Sequence, residues 1–178
     1  MDGLLTILDQ PHYQKIESIK SDLNERFYLF DPALPFHPHF SYHVAESYNE
    51  MALRPLMQQL ARETAVFTLK ANGIGIFPGP EPTLYIPLTR TQTLNNFHQK
   101  IWSTINPLCQ DSVTYYHPEN WFPHISIGPS SIPVEKLGPA VQWLNQQNLF
   151  FETKATNLSF FRQAKIGYKL AYQYIFEN

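Results

Sequence analysis

Cysteine is almost missing from this chain: Cys109 is the only one in 178 residues. A single thiol excludes an internal disulfide and fits a reducing compartment. Long apolar runs are missing too. No stretch approaches the roughly 18 residues that suggest a membrane-crossing helix, and no basic segment leads into a short apolar one near the start. The expectation is a soluble cytoplasmic protein with no membrane partner. Nor is there an excess of basic charge, since 13 Lys and Arg stand against 15 Asp and Glu, for a formal net charge of −2. A protein that grips long nucleic acid by its phosphates needs a basic face. That class is excluded, while a small nucleotide or an RNA terminus stays compatible. The chain also lacks low-complexity segments, a linker and any fixed period of 20–50 residues. One domain spanning 1–178 is expected, with a monomer as the default.

What is present is a globular composition, 43% hydrophobic and 16% charged, cut into short elements by 15 prolines. It also contains one pentapeptide pattern twice. Pro38-His39-Phe40-Ser41-Tyr42 and Pro123-His124-Ile125-Ser126-Ile127 both read proline, histidine, apolar, serine, apolar. A lone His-x-Ser is cheap, but with these neighbours the pattern is expected only about 0.01–0.02 times per chain. On an extended strand His and Ser fall on one face.

The surroundings of the two copies match. Residues 3–8 read as a buried strand. A helix follows from Pro11, with Ile16, Ile19, Leu23 and Phe27 on its stripe. Three prolines make 31–38 a loop that feeds a strand over 39–45, whose alternation puts His39, Ser41 and His43 on one face. An amphipathic helix carries Leu53, Leu56, Met57 and Leu60, with Pro55 expected in its first turn. Residues 65–77 read as a strand broken near Asn72-Gly73. The second half runs likewise: a strand at 83–89, a helix from about 92 through Leu108, the motif strand 124–128, a helix from about Pro133, and strands at 149–161 and 166–177. Pseudo-repeats of about 1–80 and 81–178 are therefore expected.

Two histidines on opposing lobes suit phosphoryl transfer, which needs a base on the attacking side and an acid on the leaving side. Imidazole serves either role near neutral pH. A Ser hydroxyl two residues along can donate to a non-bridging phosphate oxygen. This chemistry requires no metal and no cofactor. A serine nucleophile is less attractive, because no carboxylate is placed to orient its histidine.

The paired motifs resemble the H-x-[S/T] signatures of the 2H phosphoesterase superfamily, which contains bacterial 2′-5′ RNA ligase and cyclic phosphodiesterase proteins. Leu53-Arg54-Pro55, Gly73-Ile74-Gly75-Ile76-Phe77, Leu84-Tyr85-Ile86-Pro87 and Trp121-Phe122-Pro123-His124 add to the likeness, which spans essentially the whole chain. The resemblance implies a bilobal α+β fold, with two pseudo-symmetric lobes, antiparallel sheets, helices outside and a central cleft. It further implies metal-independent hydrolysis of a 2′,3′-cyclic phosphate or related phosphodiester, as in RNA processing. By the motif match, His39 and His124 are catalytic, and Ser41 and Ser126 bind the phosphate. Both hydroxyls are Ser where Thr is common in the family.

His43 shares the expected cleft face and is a candidate to line the pocket. Trp121, with Tyr115, Tyr116, Phe122 and Phe36, either stacks a base at the cleft mouth or packs the core. His98 reads as a packed helix histidine. Arg90, Arg162, Lys165 and Tyr168 are possible phosphate contacts between which the sequence does not choose. Two rival readings remain: a nucleotide or RNA-end binding protein without turnover, and a metal hydrolase using His37, His39 and His43.

Overall fold

The computed structural model describes residues 1–31, 34–128 and 131–177. It is an α+β protein with antiparallel sheets. The elements run β1 (Asp2–Ile7), α1 (Gln10–Phe27), β2 (His39–Tyr48), α2 (Glu50–Arg62), β3 (Phe67–Asn72), β4 (Gly75–Phe77), β5 (Thr83–Pro87), α3 (Gln92–Ile105), β6 (Cys109–Ser112), β7 (His124–Ser126), α4 (Val134–Leu144), β8 (Phe150–Ala155), β9 (Asn157–Gln163) and β10 (Tyr168–Ile175). Among the described residues no helix is long and apolar enough to cross a membrane. In the expected loop over 31–38, Pro32 and Ala33 lie outside the described residues.

One sheet has the order β10-β9-β1-β2-β6. The second assembly joins β4-β5-β7 to the pair β3-β8 through a bridge between Ala71 and Leu88. Strands β3 and β4 are the expected broken strand. The break falls at Gly73, whose φ of +82° suits glycine and little else. Each assembly joins early and late parts of the chain: β9 pairs with β1 and carries β10 on its far side, while β3 pairs with β8.

That exchange explains why 149–161 is not one strand. The chain leaves β8 at Ala155 and enters the other sheet at Asn157. There the buried Asn157 amide copies a strand neighbour, with Oδ1 accepting from Ile7 N at 3.0 Å and Nδ2 donating to Ile7 O at 2.8 Å. A side chain satisfies both groups at the end of β1, so the backbone is free to change sheets. Strand β6, Cys-Gln-Asp-Ser, was not expected, because it has no apolar alternation to announce it. Residues 106–108, expected as helix, form a separate 3-10 turn.

Pro55 departs from expectation. The helix α2 starts at Glu50, capped by the Asn49 side chain, so Pro55 is its sixth residue and not in its first turn. The carbonyl it leaves without an amide is that of Met51, a residue 92% exposed at the surface. In α4, Pro139 also occupies the sixth position, opposite exposed Glu135. The helices and sheets share one apolar core in which Leu4, Phe40, Tyr42, Leu53, Ile86 and Ile125 are fully or almost fully buried. Asn157→Ala should cost about 2–4 kcal/mol in chemical denaturation by stranding both Ile7 groups. A loss below about 0.5 kcal/mol, within the range of ordinary surface substitutions, would show the crossover is held otherwise.

Candidate active site

Both motif strands are mounted in the same way. In β2, His39 is opposite Ile7 and Ser41 opposite Leu5; in β7, His124 is opposite Pro87 and Ser126 opposite Tyr85. Just past each partner strand a leucine amide bonds to the motif proline: Leu8 N to Pro38 O at 3.0 Å, and Leu88 N to Pro123 O at 2.9 Å. The imidazoles match too. His39 Nδ1 lies 2.5 Å from His37 O, and His124 Nδ1 lies 2.9 Å from Phe122 O. A carbonyl only accepts, so each Nδ1 carries the proton and each Nε2 keeps its lone pair.

The two sites are adjacent. Strands β2 and β7 pack together, and Trp121 Nε1 donates to Ser41 O at 3.0 Å. His39 and Ser41 line a chamber of about 190 Å³ with Asp2, Val44, Tyr116 and Tyr168. His39 also lines a second chamber of about 120 Å³ with Ser126, His37, Phe36, Phe161 and Tyr168. Tyr116 lines the same chamber as Ser41. His124 stands against an aromatic wall, with ring centroids at 4.8 Å from Phe77, 5.3 Å from Tyr85 and 6.1 Å from Tyr115. A larger hollow of about 270 Å³ along α1 shares no residue with either chamber.

Burial makes both imidazoles less basic. His39 is pushed down to about 4, chiefly by desolvation, against which its bond to the His37 carbonyl works; a proton on His124 lowers it further. The two rings are thus close enough for their charges to interact. His124 is also lowered by desolvation, opposed by its bond to the Phe122 carbonyl. Free of ligand at neutral pH, both rings are uncharged bases.

Two candidate lining residues are elsewhere. His43 is 0% exposed and faces the core, where Nδ1 meets Tyr48 Oη at 2.7 Å and Nε2 meets Asn106 Oδ1 at 3.2 Å. The reason is a bulge: Leu4 pairs with His43 while Leu5 pairs with Ser41, leaving Tyr42 as the extra residue. Alternation restarts beyond it, so Val44 takes the cleft position expected for His43. Trp121 is 1% exposed and sandwiched against His98, with centroids 3.7 Å apart and planes 6° from parallel. It braces Ser41 from behind and lines neither chamber.

The bulge also disperses the rival metal set. His43 is turned inward and His37 Nδ1 is engaged by Tyr13 Oη at 2.8 Å, so the three imidazoles do not converge. Among the described residues no group of three or more His, Cys, Asp or Glu has the spacing to hold a metal ion. His98 is the packed helix histidine expected, with Nε2 at 3.0 Å from Tyr42 O. Of the four possible phosphate contacts, Tyr168 lines both chambers. Arg90 is taken up by the carbonyls of Trp121 and Pro118, Arg162 by Glu50, and Lys165 is exposed outside both chambers. Tyr116, one of the aromatics named as candidates for the cleft mouth, does line the Ser41 chamber, whereas Phe161, Phe77 and Tyr85 were hidden from the sequence because only the sheet pairing brings them to the histidines.

The sequence model of the 2′-5′ RNA ligase superfamily matches residues 8–166. Several solved structures share the fold. TT0787 of Thermus thermophilus superposes with a TM-score of 0.60 at 14% identity, covering 98% of this chain and 96% of that one. A protein described as a phosphoesterase gives 0.58 at 14% identity, with coverage of 99% and 98%. E. coli LigT complexed with NADP+ gives 0.54 at 14% identity, with coverage of 99% and 98%. No curated protein matches the sequence.

The buried histidines set an acid limit on stability. His43 and His98 are each held down to about 4 by burial, against an ordinary value of 6.5. Their stabilisation is complete above pH 6.5 and is lost as pH falls towards 4, because the unfolded chain takes up protons that the folded one refuses. Melting temperature should drop across that window. His43→Gln should flatten the drop, since each buried histidine contributes up to roughly 3 kcal/mol of the pH dependence. An unchanged slope in that variant would contradict the assignment.

Proposed function

Because the chain belongs to the 2′-5′ RNA ligase superfamily, whose members act on phosphoester bonds, we propose that it hydrolyses a 2′,3′-cyclic phosphate, or a related phosphodiester, at an RNA end or on a small nucleotide. The observation that carries this reading is the matched mounting of His39 and His124, each with Nδ1 tied to a carbonyl and Nε2 without a hydrogen-bond partner among the described residues. A cleft built for binding alone has no need to fix two imidazoles in the same tautomer.

His39, the more strongly desolvated ring, acts as the base. Its Nε2 takes a proton from water as the water oxygen bonds to phosphorus, and protonated His124 gives its proton to the departing ribose oxygen as the P–O bond breaks. Ser41 and Ser126 donate to the non-bridging oxygens, where negative charge grows. The product is a phosphomonoester. The incoming phosphate supplies the negative charge that lets His124 hold a proton despite its burial.

The pH dependence follows in sign. For the free enzyme, kcat/KM rises as pH climbs through about 4, where His39 loses its proton. It falls again as His124 deprotonates, below the ordinary 6.5. The optimum for kcat/KM should therefore lie on the acid side of 6.5, and the kcat profile should sit higher because bound phosphate raises both imidazoles. With 2′,3′-cyclic nucleotides and short oligonucleotides in EDTA, His39→Ala and His124→Ala should each lose at least ~100-fold in kcat. Saturable binding without product in the wild type, or full activity in either variant, would overturn the proposal.

A further inference from the structure

His37 is the third imidazole of the cleft, and the chemistry above leaves its ring unused. Its carbonyl holds His39, and the residue lines the 120 Å³ chamber beside His39 and Ser126, its ring packed on Phe161 of the same wall. Tyr13 Oη lies 2.8 Å from its Nδ1. The Tyr13 phenol is kept protonated, its pKa raised by burial and by Glu17. A phenol is a good donor and imidazole nitrogen a good acceptor, so the shared proton stays on Tyr13 and His37 carries its own on Nε2. Phe161 packs edge-on at 5.4 Å and fixes the ring plane.

The chambers differ in charge. That of Ser41 has Asp2 among its lining residues, its carboxylate accepting from Gln163 N. Among the described residues lining the Ser126 chamber there is no carboxylate, and neither chamber has a Lys or Arg. Apart from His39, His37 is the only residue among the described ones lining the Ser126 chamber that has an imidazole, ammonium or guanidinium group. It precedes Pro38, which favours extended backbone. Two residues of extended chain span about 7 Å, the scale of one ribose.

We propose that His37 is a substrate-binding residue whose Nε2 meets a second phosphate, carried on the far side of the ribose from the reacting one. This rests on the phosphoester reading of the cleft and adds a preference to it: nucleotides that also bear a 5′-phosphate. The second anion accepts from Nε2–H, and the bond from Tyr13 Oη to Nδ1 keeps that donor pointing at it.

Calorimetric titration with adenosine 2′,5′-bisphosphate and adenosine 2′-monophosphate tests it without requiring turnover. The wild type should bind the bisphosphate about tenfold more tightly, the scale of one charge-assisted hydrogen bond. In His37→Ala, which keeps the backbone carbonyl that holds His39, the ratio should fall to near one. Tyr13→Phe leaves the ring in place without its donor and should give an intermediate ratio, so the test survives poor folding of the alanine variant. Equal affinities in the wild type, no binding of either ligand, or an unchanged ratio in both variants would overturn the proposal. Hydrolysis of 2′,3′-cyclic AMP by the same preparations separates the two readings. Turnover without a bisphosphate preference removes only the role of His37, whereas preference without turnover removes only the hydrolytic reading.

Discussion

The site depends on a bond that looks incidental, between an imidazole Nδ1 and the carbonyl two residues before it. It occurs at His39 and at His124, and in both places the intervening proline is tied through its own carbonyl to a leucine amide of the neighbouring strand. Without these carbonyls a neutral imidazole would exchange tautomers, and for much of the time the cleft would meet an N–H in place of a lone pair. The proline has no amide to compete, and the leucine holds its peptide in place. Backbone, which most side-chain substitutions leave intact, therefore sets the protonation pattern of both rings.

That arrangement was partly legible in the sequence. The doubled Pro-His-x-Ser pattern located the two histidines, their serines and the strands beneath them, because period-2 geometry is a local property. The same local rule failed at His43. The extra residue at Tyr42 is inserted against β1, and nothing in His39-Phe40-Ser41-Tyr42-His43 distinguishes a bulged strand from a regular one. Trp121 was ambiguous for a related reason. Its position beside the second motif is evident, but its indole points through the molecule to the first motif strand, and only tertiary packing decides that.

The fold shows the same division. Helices and strands with a strong apolar period were readable, while β6 and the division of 149–161 were not. The division depends on Asn157, whose side chain replaces a strand partner at the end of β1. Among the other polar residues of 149–161 one asparagine is easily passed over, yet it marks where the chain leaves one sheet for the other. The two assemblies are consequently laced together by covalent crossings as well as by the shared core. The cleft between β2 and β7 thus has a stiff back wall formed by Trp121.

Gly75 has a consequence beyond its own strand. It pairs with Tyr85, and a Cβ placed there would come within 2.2 Å of the tyrosine ring. The missing side chain is the space in which Tyr85 lies, stacked on Phe77 at 4.2 Å and walling in His124. How dry His124 is, and hence how readily it parts with a proton, is therefore governed from a position on another strand that has no functional group at all. A single methyl group there would act as a remote adjustment of acid strength.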